Sequence, residues 1–277
     1  MSRRWLVTGC SSGLGLALAR AVLAAGDVLV ATSRGDSPLD ALAEEFPERL
    51  VRARLELRDP EQCAAAVALA QERLGGVDVL VNNAAVGLFG AVEEVSDAEL
   101  REQLEVLAVA PWRMARLVLP LMRAQGGGHI VNVSSVGGRM AFPGLGAYVA
   151  GKFALEGMTL ALAAEAAPFG VRVTAVEPGG FATSYGSSLT EAATALPEYA
   201  QALAPMRAAL RGMAGDGVLN RPEVFAQLVL RAVAAESGPV RLPVGPDAYA
   251  MMEAALAGEA AELAAARALA EAAPDPV

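Results

Sequence analysis

The chain has 277 residues, 54% of them hydrophobic, and a formal net charge of −9. This length and apolar content suit a single α/β domain with a buried core, and an acidic balance with no basic block argues against a nucleic-acid partner. Much of the apolar content is alanine, no uninterrupted apolar run approaches the roughly 18 residues of a spanning helix, and the N-terminus has no signal-peptide core, so a cytoplasmic protein without a membrane partner is expected. The two cysteines, Cys10 and Cys63, are too few for a disulfide framework, and no Cys/His cluster has metal-ligand spacing, so no metal is expected.

Residues 5–8 read as a first strand. The run Thr8-Gly9-Cys10-Ser11-Ser12-Gly13-Leu14-Gly15 leads from it into a helix over 13–25. Glycines so placed allow a tight turn, close approach of backbone to a pyrophosphate, and close packing of helix on strand, with the helix N-terminus facing the anion. Further strands are expected at 28–32, 50–57, 79–82, 129–133, 172–177 and 241–244, separated by segments rich in Ala, Leu, Glu and Arg. Strands joined by helical crossovers imply right-handed βαβ units, hence a doubly wound, mainly parallel seven-stranded sheet with helices on both faces. His129, after three glycines at the head of the fifth run, reads as a structural or surface residue.

Residues 181–220 stand outside the alternation. Gly186, Pro197, Pro205, Gly212, Gly215 and Gly217 break short helical pieces that carry Leu189, Tyr199, Met206 and Met213. An insertion of this kind between elements of one sheet is expected to be a lid. From 247 to about 273 the chain reads as an alanine-rich helix, so we divide it into a catalytic domain over 1–246 and a helical extension over 247–277.

The only lysine, Lys152, stands four positions after Tyr148. On a helix, i and i+4 share a face. Phenol and ammonium would project together, and the positive charge would pull the tyrosine pKa below its usual value of about 10. The same spacing also fits an ordinary surface pair.

Four elements occurring in order decide between these readings. They are Thr8 to Gly15, Asn82-Asn83-Ala84 at the end of the fourth strand, Ser135 thirteen residues before Tyr148, and Pro178-Gly179 after the sixth strand. With them the chain resembles the short-chain dehydrogenase/reductase family over roughly residues 4–245. The stretch 153–157, with 8–13, looks most like the branch of 17β-hydroxysteroid and retinol dehydrogenases. The resemblance implies a Rossmann-type domain in which Tyr148 is the acid/base, Ser135 hydrogen-bonds the reacting oxygen, and Lys152 holds the nicotinamide ribose. It further implies cofactor contacts from Gly9, Ser11, Ser12, Gly13, Leu14, Gly15, Glu56, Leu57, Asn83, Ala84, Pro178, Gly179, Phe181 and Thr183, and a homodimer or homotetramer.

Arg34 follows the second strand, where this fold meets the adenosine ribose. An arginine there suits the 2′-phosphate of NADP, whereas a carboxylate would suit the 2′-hydroxyl of NAD. The chain departs from the family pattern in two places. Ala85 stands where a glycine is usual, and Leu107 where an asparagine is usual. Pro111 has no N–H to return to the carbonyl of Leu107, so that carbonyl is expected to hold a water in a proton relay to Lys152. Apolar residues expected around the substrate are Val86, Leu88, Phe89, Met140, Phe142, Phe181, Tyr185, Leu189 and Met206, with Arg139 the one charged exception. The expected function is NADP(H)-dependent interconversion of a hydrophobic ketone or aldehyde and its alcohol. The alternatives are a nicotinamide-bound dehydratase, epimerase or imine reductase, or a non-catalytic cofactor-binding regulator.

Overall fold

A computed structural model describes residues 2–35, 38–212 and 219–271. Met213, Gly215 and Gly217 of the expected lid and the last residues of the expected tail, including Ala272 and Ala273, lie outside the described residues. In chain order the elements are β1 (Arg4–Val7), α1 (Gly13–Ala24), β2 (Val28–Ser33), α2 (Leu39–Glu45), β3 (Leu50–Arg54), α3 (Pro60–Leu74), β4 (Val79–Asn82), β5 (Leu88–Phe89), α4 (Asp97–Leu104) and α5 (Ala110–Ala124). They continue with β6 (Gly128–Val133), α6 (Gly146–Ala166), β7 (Val171–Pro178), β8 (Thr190–Glu191), α7 (Pro197–Gly212), α8 (Pro222–Ala234), β9 (Arg241–Val244) and α9 (Pro246–Glu271).

Among the described residues, seven strands form one sheet in the order β3-β2-β1-β4-β6-β7-β9, every pair parallel. The doubly wound architecture expected from the sequence is therefore present. Its core follows from period-two alternation. Trp5, Val7, Leu29, Ala31, Val79, Val81, Val131 and Val133 point to one face, where they meet α1 and α8. Leu6, Val30, Leu80 and Ile130 point to the other, beneath α3 and α5. Because both faces are covered, these strands are apolar almost throughout.

Local chemistry sets the helix ends. Asp59 accepts from the N–H groups of Glu61 and Gln62 to start α3, and Gly75 ends it in the left-handed region. Ser96 and Glu99 form a capping box on α4. His129 proves structural rather than a surface residue. It is buried, its Nε2 lies 3.0 Å from Thr174 Oγ1, and burial lowers its pKa to about 3, so the ring is neutral.

The third strand is shorter than expected. It ends at Arg54, and residues 55–57 turn off the sheet edge. A two-stranded pairing of β5 with β8 ties the insertion to the loop after β4. No helix among the described residues is long and apolar enough to cross a membrane.

Candidate active site

In the strand order, β1 feeds a crossover to one side and β4 begins the series on the other. The carboxyl ends of strands around such a switch point leave a crevice. A cavity of about 590 Å³ lies there, lined by residues from the loops after β1, β2, β4, β6 and β7. Its walls include Gly9, Ser11, Ser12, Gly13, Leu14, Gly15, Arg34, Glu56, Leu57, Asn83, Ala84, Ser135, Tyr148, Lys152, Pro178, Gly179, Phe181 and Thr183. All the site residues expected from the sequence thus converge on one space.

The loop between β1 and α1 is built for close approach. Gly9 adopts φ 71°, and a Cβ on it would lie 2.7 Å from Ala84 Cα. A Cβ on Gly15 would run into the carbonyl of Gly9 and lie 2.5 Å from Asn83 Nδ2. Asn83 braces the turn, donating through Nδ2 to the carbonyls of Thr8 (2.9 Å) and Gly9 (3.0 Å). The N–H groups of Asn83 and Ala84 donate to Thr8 Oγ1 at 3.0 and 3.1 Å. At the head of α1, Ser12 makes no side-chain cap and the first turn holds no acidic residue. Its free N–H groups and dipole therefore suit an anionic group such as a pyrophosphate, and the residues present fit a dinucleotide cofactor.

At the far end of the cavity Arg34 is exposed and forms no salt bridge with a described residue. Glu56 is engaged by Arg58, whose Nη1 and backbone N–H both donate to Glu56 Oε1 at 3.2 Å. Arg58 lines the cavity too, and the sequence reading missed it. Its position depends on the chain leaving β3 early.

Ser135, Tyr148 and Lys152 meet at the other end. Ser135 follows β6, and its Oγ accepts from the N–H of Gly137 at 3.0 Å. Tyr148 lies in the first turn of α6 with Lys152 one turn on, 8% and 2% exposed respectively. They are not a surface pair. The expected fall in the Tyr148 pKa is not what this arrangement produces. Burial raises it, against the opposing pull of hydrogen-bonding contact with the hydroxyls of Ser135 and Tyr185. The ammonium does not compensate, for Lys152 Nζ donates to the carbonyl of Val133 at 2.7 Å and lies 5.8 Å from the centre of the Tyr148 ring. Burial lowers the pKa of Lys152 to about 8, with Glu156 opposing.

Around Leu107 the helix changes pitch. The chain is π-helical over Glu105–Val109, Ala110 N–H donating to Glu105 O, and Pro111 sits in the first turn of α5. A missing N–H and a wider turn belong together. The Leu107 side chain is buried in a cluster with Phe89, Leu145 and Tyr148, and a Cβ on Gly151 would lie 2.8 Å from its Cβ. The asparagines form a separate ladder. Asn82 Nδ2 donates to Asn132 Oδ1 at 2.8 Å, and Asn132 Nδ2 donates to Thr159 Oγ1 at 2.9 Å.

The expected substrate wall is partly corrected. Val86, Phe142, Phe181, Tyr185 and Met206 line the cavity, whereas Leu88, Phe89, Met140 and Leu189 do not. Leu88 and Phe89 are buried in the β5–β8 pairing that anchors the insertion, and Leu189 packs against the cluster around Phe89. Arg139 is withdrawn to Glu177, at 3.3 Å. Leu145, Leu210 and Met251 complete the wall. The sequence offered no signal for Met251, because only the docking of α9 carries it to the cavity. Asp247 secures that docking by accepting from Gly180 N–H (2.6 Å) and Asn220 Nδ2 (2.7 Å).

Comparison with known proteins agrees with this geometry. A family model described as short chain dehydrogenase matches residues 3–194. The chain is 37% identical over 264 residues to Oxidoreductase BOA17 of Botryotinia fuckeliana, covering 95% of this chain and 94% of that one. It is similar to the crystal structure of a short-chain dehydrogenase from Streptomyces avermitilis, with a TM-score of 0.90, 38% identity and 98% of each chain covered. A 3-ketoacyl-(acyl-carrier-protein) reductase from Brucella melitensis, complexed with NADH, superimposes with a TM-score of 0.76 at 25% identity, over 89% of this chain and 98% of that one.

Proposed function

Because the chain belongs to the short-chain dehydrogenase family of oxidoreductases, we propose that it interconverts a hydrophobic ketone or aldehyde and the corresponding alcohol, using NADP(H). The observation that carries this reading is one cavity holding the glycine-rich loop at one end and Ser135, Tyr148 and Lys152 among apolar walls at the other. When bound, the nicotinamide supplies or accepts the hydride.

The chain's own residues do the rest. In reduction Ser135 donates a hydrogen bond to the carbonyl oxygen while Tyr148 gives its phenolic proton to that oxygen; in oxidation Tyr148 takes the proton back. Its high pKa keeps the phenol protonated before reduction. Lys152 holds the ribose hydroxyls, and its charge steadies the phenolate once the proton has left. The Leu107 carbonyl, deprived of a helical donor by Pro111, is proposed as a water-holding station that resupplies the proton.

Gly9, Ser11, Ser12, Gly13, Leu14 and Gly15 would hold the pyrophosphate, Glu56 and Leu57 the adenine, and Asn83 and Ala84 the adjoining ribose. Pro178, Gly179, Phe181 and Thr183 would flank the nicotinamide. NADP is favoured over NAD by Arg34, a guanidinium facing the cavity without a described carboxylate partner. Residues 181–220 act as a lid, contributing Tyr185, Met206 and Leu210 to the wall. The exposed Trp112, Phe153 and Leu160 on α5 and α6 favour a homodimer or homotetramer, and the unbridged Cys10 and Cys63 favour the cytoplasm.

Arg34→Asp is the direct test of the cofactor assignment. It removes a charge-assisted phosphate contact and adds a like charge, so kcat/KM with NADPH should fall about 100-fold while that with NADH holds or rises. An unchanged cofactor preference would refute it.

A further inference from the structure

Tyr185 is the feature of the cavity that the proposed chemistry leaves unused. It follows β7 at the start of the insertion, and its ring faces that of Tyr148 at 5.7 Å between centres and 54° between planes. Its hydroxyl is wholly buried and makes no hydrogen bond of full geometry, although it approaches the Tyr148 hydroxyl closely enough for each phenol to influence the other.

The placement is built rather than accidental. The Tyr185 carbonyl accepts from Ser188 Oγ and Ser188 N–H at 3.0 and 3.1 Å, and its N–H donates to Thr183 Oγ1 at 3.3 Å. On the far side Gly87 gives the ring room, for a Cβ there would lie 2.7 Å from the Tyr185 hydroxyl oxygen. A phenylalanine would fill the same space. The oxygen therefore adds a desolvated donor beside the two hydroxyls that would hold the reacting oxygen, in a wall that includes the apolar Val86, Phe142, Leu145, Met206 and Leu210 and, from the same insertion, Ser184 and Ser188.

We infer that Tyr185 is a specificity-determining residue, and that the substrate carries a second oxygen on the carbon next to, or next but one from, the reacting carbonyl, with an apolar remainder. This rests on the carbonyl-reductase reading above. Burial and the neighbouring Tyr148 hold the Tyr185 pKa well above the ordinary phenol value, so Tyr185 remains a donor at working pH and is not a second acid. Two donors side by side match two oxygens set close on one carbon chain. A substrate with a single oxygen leaves the second donor unpaired, and sites with a donor left unpaired discriminate strongly.

The test compares an alkyl methyl ketone with the α-diketone and β-diketone of equal chain length, each as kcat/KM in wild type and in Tyr185→Phe. The expected result is that the substitution lowers kcat/KM for one or both diketones by about 10- to 100-fold more than it does for the monoketone. Dividing variant by wild type cancels the differing intrinsic reactivity of the ketones. An unchanged preference overturns the inference. An equal loss on all three substrates also overturns it, since Tyr185 would then be a positioning residue acting through Tyr148. If wild type turns over none of the three with either nicotinamide cofactor, the failure belongs to the carbonyl-reductase reading itself.

Discussion

Lys152 shows how one residue carries opposing demands. In the proposed reaction its ammonium must be charged to hold ribose hydroxyls and oppose a phenolate, yet it is 2% exposed, and its Nζ donates to the carbonyl of Val133. The unfolded chain keeps this proton to about pH 10.5, whereas the folded protein releases it near 8. Between those values the unfolded state binds more protons, so this group makes stability rise with pH. Below about 8 both states are protonated and the burial penalty is constant. Compared with Lys152→Met, wild type should therefore gain roughly 3 kcal/mol between pH 8 and 10.5, read by urea denaturation at several pH values. A difference that stays flat across this range would mean that the ammonium is not desolvated. The pairing with Tyr148 was legible as i, i+4 spacing. Burial was not, because it depends on α6 lying against β6, and for that reason spacing alone misjudged the sign of the Tyr148 shift.

Among the elements, the junction of α4 and α5 has the most specific chemistry. A proline in the first turn of α5 and a preceding π-helical turn leave the backbone near Leu107 without its ordinary helical donor. Pro111→Ala restores an N–H that can close onto the Leu107 carbonyl. If that carbonyl supports proton resupply, kcat should fall about 10-fold with KM for cofactor unchanged and thermal stability kept or raised; an unchanged kcat would remove the relay from the account. The proline's effect on its own carbonyl partner could be read from covalent structure. The π turn could not, since it reflects how α4, α5 and α6 settle together. The same division holds for the insertion. Pro197 was readable as a boundary and starts α7, whereas Pro205, expected to break a helical piece, lies inside that helix. The pairing of Leu88 and Phe89 with Thr190 and Glu191 joins residues about a hundred positions apart, so these two candidates for the apolar wall anchor the insertion instead.

At the level of the whole molecule, the sheet was legible because its central strands β1, β2, β4 and β6 share one pattern, short and apolar on both faces, with helical segments between strands, while β3, alternating buried and exposed residues, lies at the edge. The glycine-rich loop, Ser135, Tyr148 and Lys152 were legible for a related reason, since each sits at the carboxyl end of a strand or in the helix that follows, and strand order then brings those ends together. The substrate side is different. Leu145, Leu210 and Met251 reach the cavity through docking of a loop and two helices, with Asp247 tying α9 to Gly180 and Asn220, and no local pattern records such docking. The beginning of α9 is held in this way, with Ala248 and Met252 buried, whereas its later residues Leu256, Leu263 and Leu269 are exposed.

The central claim is that this cavity couples hydride transfer to proton transfer through Tyr148. The most direct measurement follows nicotinamide absorbance while hydrophobic ketones are reduced by wild type and Tyr148→Phe, with product counted against cofactor consumed. The account predicts one NADPH oxidised per alcohol formed, faster turnover with NADPH than with NADH, and a loss of at least about 100-fold in kcat for the variant. Full turnover by Tyr148→Phe, or conversion of substrate without stoichiometric consumption of cofactor, would contradict it.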